Sequence, residues 1–193
     1  MRRISFAAAA VAGIALACAF GTANAEDVAP GMQKEVTLPD GCISQEGAEF
    51  KDGKWVLPDG TPTFRVCKKD GNIVVDWSTY NGYRRYHGEC HVCHGPNGLG
   101  STYAPALADS LKTMDYGAFL GVVASGRTRD EAGTKFVMPA FGDNKNVMCF
   151  INDLYAYLKA RSFADALPAG QLGGRNRDEK PDEARQAEKD CLG

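Results

Sequence analysis

The stretch Cys90-His91-Val92-Cys93-His94 contains the residues whose types and spacing are best suited to chemistry in this sequence. Two thiols three positions apart can add to the two vinyl groups of a haem, and the histidine that follows can then bind the iron. A thioredoxin-type dithiol or a chance match is the alternative. Because the pattern occurs once and no internal repeat is evident, the sequence predicts one covalently attached haem c, with His94 as an iron ligand.

A second iron ligand is expected from Met138, which lies 44 residues beyond His94. A thioether is a soft, neutral ligand that stabilises ferrous iron, and Pro139 stiffens the loop that presents it. A methionine taken alone is more often core filler. Three other methionines are weaker candidates, because they adjoin a helix, fall inside the last helix or lie in the N-terminal arm: Met114, Met148 and Met32.

The imidazole of His94 also needs an acceptor for its other ring N–H, which fixes the tautomer and the ring angle. The carbonyl of Pro105, eleven residues further on, is the candidate. Arg127 and Arg129 could hold a haem propionate through charge-assisted hydrogen bonds, although an arginine in a loop is by default a solvated charge. The predicted cofactor-binding residues are Cys90, Cys93, His94, Pro105 and Met138.

The first 25 residues have the composition of a secretory signal peptide. A basic region, an apolar stretch and a small-x-small cleavage site follow one another at Arg2-Arg3, 4–20 and Ala23-Asn24-Ala25. A membrane anchor that stays in the mature protein is less consistent with the sequence, because seventeen apolar residues are short for a spanning helix. Cys18 raises the alternative of a lipoprotein, but Ala15 stands where a bulky aliphatic residue is usual. The sequence therefore predicts a periplasmic protein, cleaved after Ala25, with no stable membrane insertion.

The net charge limits the kinds of partner. Without the two arginines of the signal peptide, 20 basic residues remain against 24 acidic ones, a net charge of −4 before any haem propionates. An acidic chain is a poor candidate for binding nucleic acid or anionic membrane surfaces. Docking to a neutral or basic patch, with an association that depends on salt concentration, is favoured instead.

Besides the haem motif, the mature chain contains four cysteines: Cys42, Cys67, Cys149 and Cys191. In an exported chain they are expected to form two disulfides, because the periplasm is kept oxidising. Three pairings are possible, and the sequence does not decide among them. We favour Cys42 with Cys67 and Cys149 with Cys191, since each bond would tether a terminal extension to a firmer part of the chain. A further metal site or a redox dithiol is less consistent with the wide spacing.

The residues before the haem motif divide into an irregular arm at 26–47 and a segment with β character at 49–77. In the second segment, three β-prone runs are separated by Asp-Gly pairs, at 55–57, 63–67 and 73–77. Asp-Gly between such runs is a strong turn signal, so a small antiparallel meander is expected. Trp55 and Trp77 are assigned to the packing of this sheet rather than to the haem.

A helix is expected to begin after a cap at Ser78 or Thr79 and to end near position 90. Gly82, Tyr86 and Cys90 are spaced by four and share one face, where the glycine allows another helix to approach closely. The partners on a final core helix are expected to be Leu154 and Tyr157.

Three further segments complete the chain. Apolar periodicity predicts a helix over 115–124 and the final core helix over about 143–162. The segment 168–193 has almost no large apolar residues and cannot form a core. It is expected to be a charged tail with one exposed helix at 181–190.

The whole arrangement resembles a class I cytochrome c. The matching residues, in family order and near family spacing, are Gly82, Tyr86, Cys90, Cys93, His94, Pro105, Met138, Leu154 and Tyr157. The resemblance implies a mainly α fold at 78–167, wrapped around a haem with His94 proximal and Met138 distal. The β-meander extension at 26–77 and the tail at 168–193 would be additions to that domain.

A narrower resemblance is to the methanol-metabolism-related c-type cytochromes with four additional cysteines. It covers roughly residues 42–175, and it is carried by the segments 77–87 and 147–155 together with the four extra cysteines. The resemblance implies an electron acceptor for a pyrroloquinoline-quinone methanol or alcohol dehydrogenase, with a downstream cytochrome or oxidase as the next acceptor.

We therefore expect an electron-transfer protein and not an enzyme. An enzyme would need an open iron position, and a methionine in the sixth position leaves nothing for a substrate to bind. Two other functions stay open: a general periplasmic carrier to a terminal oxidase, and a haem subunit held in a larger dehydrogenase complex.

Overall fold

The computed structural model describes residues 34–163 and 166–193. The predicted signal peptide at 1–25, its cleavage after Ala25, the start of the arm and Met32 lie outside the described residues. None of the helices in the described part of the chain is long and apolar enough to cross a membrane.

Helices lie before, within and after the haem motif along the chain. They are α1 (Trp77–Glu89), α2 (His91–His94), α3 (Leu107–Ser110), α4 (Tyr116–Ser125), α5 (Lys145–Met148), α6 (Ile151–Ser162) and α7 (Asp182–Leu192). A 3₁₀ turn at Pro96–Gly98 follows α2 directly. Tyr86 of α1 and four large side chains of α6 are fully buried and form the core with side chains from other elements, among them Phe64, Leu111 and Val147.

Helices α1 and α6 pack closely because of Gly82. A Cβ atom at this position would lie 1.9 Å from the Asp153 carbonyl oxygen and 2.9 Å from the Cβ of Tyr157. The rings of Tyr86 and Tyr157 pack beside this contact, with centroids 5.5 Å apart. The predicted crossing is therefore present, and the group that approaches the glycine most closely is the Asp153 backbone.

Two helix boundaries differ from those predicted. Helix α1 is capped by Asp76, whose side chain accepts a hydrogen bond from the Thr79 backbone N–H at 3.0 Å, and not by Ser78 or Thr79. The final helix is two helices, α5 and α6, because the backbone of Phe150 is non-helical. Met148 consequently belongs to the short helix α5.

The described residues also contain eight strands: β1 (Glu35–Thr37), β2 (Ile43–Gln45), β3 (Glu49–Lys51), β4 (Lys54–Val56), β5 (Val66–Lys69), β6 (Asn72–Val75), β7 (Arg127–Glu131) and β8 (Thr134–Met138). They form one four-stranded sheet, in the order β1-β2-β5-β6, and two separate hairpins, β3-β4 and β7-β8. The described chain is thus mixed α/β, and the expectation of a mainly α fold is only partly correct.

The predicted meander is partly right. Hairpins do form across Asp52-Gly53 and Asp70-Gly71, where each aspartate and each glycine has a positive φ. The turn at Asp59-Gly60 instead leads out of β4 without joining strands of one sheet. The arm was wrongly expected to be irregular over residues 35–45, which form β1 and β2 at the edge of the sheet.

Both favoured disulfides are confirmed. Cys42 is bonded to Cys67, and Cys149 is bonded to Cys191. The first bond is buried and links the start of β2 to β5. The second joins the junction of α5 and α6 to the last turn of α7.

The segment before α7 is not a detached tail. Asn176 and Asp178 extend the edge of the sheet, because their backbone groups hydrogen-bond to Val75 at 3.0 and 2.8 Å. The guanidinium of Arg177 lies 4.8 Å from the Trp77 ring centroid. The charged C-terminal segment is therefore held by backbone pairing and cation–π contacts in place of an apolar core.

Candidate haem-binding site

The haem motif forms a single helical turn. Cys90 is the last residue before α2, and its carbonyl accepts hydrogen bonds from the N–H groups of Cys93 at 3.3 Å and His94 at 3.0 Å. One turn of helix brings residues three and four apart to the same face. Both thiols and the imidazole are thereby gathered on one side of the segment.

Cys90 and Cys93 are the only cysteines in the described residues that are outside disulfides. Burial raises the pKa of the Cys90 thiol to about 12, with the neighbouring Glu89 and Cys93 contributing in the same direction. Redox-active CxxC pairs depend on a lowered thiol pKa, which makes the thiolate available. The environment of Cys90 therefore disfavours a thioredoxin-type dithiol and leaves a neutral thiol next to a buried histidine.

His94 is buried, and its ring is oriented by a backbone carbonyl. Nδ1 lies 3.0 Å from the carbonyl oxygen of Pro105. Since a carbonyl can only accept, Nδ1 must carry the proton, and Nε2 keeps its lone pair. This is the tautomer that an imidazole needs in order to bind a metal through Nε2.

The loop after His94 is closed by a short backbone contact. The N–H of Gly100 donates to the His94 carbonyl at 2.7 Å. A Cβ atom at Gly95 would lie 2.2 Å from the Gly100 carbonyl oxygen, and Gly95 has φ +73°. Only a glycine fits this approach and this conformation. The glycines in the sequence predict a loop here, but only the structure shows that position 95 requires a glycine.

Met138 is the last residue of β8 and is half-buried against the core. It pairs with Arg127 of β7, and a Cβ atom at Gly126 would lie 2.6 Å from its carbonyl oxygen. Beyond Pro139, the N–H of Phe141 donates to the Val123 carbonyl of α4 at 3.0 Å. The methionine is thus fixed by a hairpin before it and by α4 after it.

The β7-β8 hairpin was missed by the sequence reasoning, which treated this region as a loop. Its turn contains Ala132 at φ +47° and Gly133 at φ +82°. Alanine is uncommon at positive φ, so the usual Asn-Gly or Asp-Gly signal is absent. The alternation of β-prone residues in Thr134–Met138 was the available signal.

Arg127 and Arg129, the two arginines proposed to bind a haem propionate, both lie on β7. Arg129 forms an exposed ion pair with Glu131 at 3.2 Å, and its guanidinium lies 5.3 Å from the Phe136 ring centroid. Arg127 is exposed on β7. Both arginines are exposed, and a contact of either one with a haem propionate stays a prediction.

Large apolar side chains remain exposed around the haem motif. They are Val92, Leu99, Tyr103 and Val137, each with more than half of its surface accessible. Half-buried apolar side chains from α3, α4, β8 and the segments beside them adjoin the core: Leu107, Met114, Tyr116, Leu120, Met138 and Phe141. Two free thiols, an imidazole whose Nδ1 is bonded to a carbonyl, a thioether and these half-buried apolar side chains together fit a haem c.

The chain is similar to two proteins that are named as cytochromes. Cytochrome c-553I of Paracoccus denitrificans is 48% identical over 143 residues, which are 74% of this chain and 61% of the relative. Cytochrome c-555 of Methylococcus capsulatus is 42% identical over 99 residues, which are 51% of this chain and 73% of the relative. The chain belongs to the c-type cytochromes. No protein-family model matches it.

A solved structure supports the same assignment. The crystal structure of the c-type cytochrome XoxG from Methylobacterium extorquens AM1 is 54% identical, with a TM-score of 0.66 over 76% of this chain and 86% of that chain. With the two disulfides of the additional cysteines, these relatives confirm the resemblance to the methanol-metabolism-related c-type cytochromes. Cytochromes c are electron-transfer proteins and not enzymes.

Proposed function

We propose that this protein is a periplasmic one-electron carrier with a single haem c, attached through Cys90 and Cys93 and ligated by His94 and Met138. The observation that carries the proposal is the α2 turn: two thiols outside the disulfides precede a buried imidazole whose Nδ1 is bonded to the Pro105 carbonyl. A bound haem c supplies a one-electron Fe(III)/Fe(II) couple. The alternative functions, a carrier to a terminal oxidase and a haem subunit, have no separate observation in their favour.

The chain's own residues have distinct roles in this proposal. The two thiols hold the group covalently, and the Pro105 carbonyl keeps Nε2 of His94 available and its ring oriented. The thioether of Met138 would be the second iron ligand, and as a soft, neutral donor it would favour the ferrous state. No side chain needs to make or break a bond during turnover.

We propose a pyrroloquinoline-quinone methanol or alcohol dehydrogenase as the electron donor. The support is the resemblance carried by the four additional cysteines, which form both disulfides. Val92, Leu99 and Tyr103 give an exposed apolar surface beside Cys93, and the mature chain is acidic overall. A small apolar contact within an acidic surface suits a transient, salt-dependent encounter with a neutral or basic partner.

The test is to mix the oxidised holoprotein with a purified quinoprotein methanol dehydrogenase and methanol, and to follow haem reduction by its visible spectrum. We expect reduction that requires methanol and slows as salt concentration rises. A variant with Cys90→Ser and Cys93→Ser should contain no covalent haem. Covalent haem with no reduction by methanol or longer-chain alcohols would overturn the donor assignment, and absence of covalent haem in the wild type would overturn the function itself.

A further inference from the structure

The loop that follows His94 is held by two buried side chains from the α1–α6 pair. The hydroxyl of Tyr86 donates to the Gly95 carbonyl at 2.5 Å and accepts from the Gly98 N–H at 3.1 Å. Tyr86 is fully buried in α1. One phenol therefore satisfies a carbonyl at the start of the loop and an amide at its end.

Arg161 holds the middle of the same loop from α6. Its Nε donates to the Asn97 carbonyl at 3.0 Å, and Nη1 donates to the carbonyl of Leu167. The Arg161 residue is only 6% exposed. Asn97 has φ +59°, a conformation that is uncommon outside glycine and needs external support.

These contacts leave few ways for the loop to move. Gly95 is bonded to His94 in the chain, and the Gly100 N–H returns to the His94 carbonyl at 2.7 Å. Burial raises the pKa of the Tyr86 phenol, so it stays protonated and able to donate. The position of His94 is therefore coupled to the helix pair through the Tyr86 hydroxyl and the Arg161 guanidinium, in addition to its bond to Pro105.

We infer that Tyr86 and Arg161 are positioning residues for His94: together they clamp the loop at 95–98 and, by keeping it closed, raise the reduction potential of the haem. This inference rests on the proposed function. A closed loop keeps the iron ligand oriented and limits the access of water, and both factors tune the potential of a bound metal. An opened loop would admit water, which stabilises the ferric charge and lowers the potential.

The chain offers a matched control for removing the Tyr86 hydroxyl. Tyr157 is 1% exposed, its ring packs against that of Tyr86, and its hydroxyl has no hydrogen-bond partner among the described residues. Tyr86→Phe and Tyr157→Phe thus remove the same atom from neighbouring buried rings. Only the first leaves a loop carbonyl and a loop amide unsatisfied.

The experiment compares these two variants by hydrogen exchange and by potentiometry, after covalent haem has been verified by the pyridine haemochrome spectrum. In Tyr86→Phe we expect exchange of the Gly98 amide to be faster by roughly tenfold, the effect of losing one buried hydrogen bond. The reduction potential should also fall. Tyr157→Phe should change neither quantity.

Arg161→Met and Arg161→Lys give an independent second test. Arg161→Met removes both hydrogen-bond donors and should lower the reduction potential. Arg161→Lys keeps one donor, so its potential should lie between those of Arg161→Met and the wild type. An unchanged potential in Tyr86→Phe, even with faster exchange, would overturn the inference, because it would make the hydroxyl merely structural. Equal shifts in Tyr86→Phe and Tyr157→Phe would overturn it as well. A wild type without covalent haem would instead refute the proposed function.

Discussion

At the scale of single residues, environment decides which chemistry each group can perform. Burial raises the pKa of the Cys90 thiol and disfavours the reactive thiolate, whereas its sequence pattern alone also fits a reactive dithiol. His94 has one possible tautomer because Pro105 provides only an acceptor. Met138 differs from Met114 and Met148 in lying at the end of a strand that is fixed on both sides. Each role follows from a neighbour as much as from the residue type.

Met138→Ala tests the distal ligand. The covalent bonds do not involve this residue, so haem should stay attached. The potential should fall by an appreciable part of the roughly 0.8 V over which axial ligands set haem potentials, and the ferrous protein should bind CO. Potentiometry and CO difference spectra measure both effects. Met148→Ala, which removes a half-buried methionine from α5, serves as the control, and equal behaviour of the two variants would refute the assignment of Met138.

Asp153 predicts a pH dependence of stability. Burial raises the pKa of its carboxyl to about 6 from 3.8, although Asn81 donates a hydrogen bond at 2.6 Å that acts in the opposite direction. Because the folded state binds the proton more tightly, this group stabilises the fold below pH 4 and the contribution is lost as pH rises to 6. At pH 7 the charged group therefore costs at most about 3 kcal/mol.

Asp153→Asn should remove that cost. The variant should be more stable than the wild type at pH 7, and its free energy of unfolding should change less between pH 4 and 6. Denaturant titrations at several pH values measure this. Asp109→Asn changes an exposed carboxyl on α3 and should leave the pH profile as it is. A profile of Asp153→Asn that is as steep as the wild type's would show that another group titrates; the buried Asp76, whose pKa is raised by burial, is the first candidate.

At the scale of elements, local signals could be read from the sequence and non-local ones could not. Helices α1 and α4 and the hairpins at Asp52-Gly53 and Asp70-Gly71 follow from periodicity and turn residues within about a dozen positions. Strand β2 has three residues and pairs with β5 more than twenty positions away. The apolar stripe also continues through Phe150, so periodicity alone cannot show the break between α5 and α6.

The helix pair gives the element-scale prediction. Gly82→Ala would place a Cβ atom 1.9 Å from the Asp153 carbonyl oxygen, and a backbone atom cannot move aside as a side chain can. We expect a loss of about 1 to 3 kcal/mol or more, the usual cost of overpacking. Gly88→Ala in the same helix meets nothing within 4 Å and should stabilise by about 0.5 to 1 kcal/mol. Thermal unfolding of both holoproteins measures the difference, and similar melting temperatures would contradict the close helix contact.

At the scale of the whole molecule, the two disulfides have different surroundings: Cys42–Cys67 is buried beside paired strands, and Cys149–Cys191 joins a helix on the surface. Helix α7 has no buried residues. Its contacts include the Cys149–Cys191 bond, ion pairs of Glu188 with Arg85 at 3.5 Å and with Lys180, and a Lys145 hydrogen bond to the Leu192 carbonyl at 3.3 Å. These ion pairs are half-buried, and the disulfide is the covalent attachment of α7 besides its chain connection.

The two bonds differ in accessibility, which leads to an ordered reduction. Cys42 and Cys67 are each 2% exposed, whereas Cys191 is exposed and Cys149 half-buried. A dithiol reductant should therefore open Cys149–Cys191 first. Differential alkylation and mass spectrometry would show the order, and simultaneous labelling of all four cysteines would contradict it.

Variants that lack one of the two disulfides should show whether that bond affects stability, the reduction potential or both. A Cys149→Ser, Cys191→Ser variant should lose up to about 4 kcal/mol of stability by the chain-entropy relation for a loop of this size. Its potential should stay that of the wild type, because the disulfide, ion pairs and hydrogen bonds of α7 in the described residues join it to Cys149, Arg85, Lys180 and Lys145, which lie outside α2 and the loop after it. Cys42→Ser with Cys67→Ser should be more damaging, since it also leaves two buried hydroxyls in the sheet. A changed potential in the first variant would show that α7 reaches the haem site, and the C-terminal segment would then belong to the redox machinery.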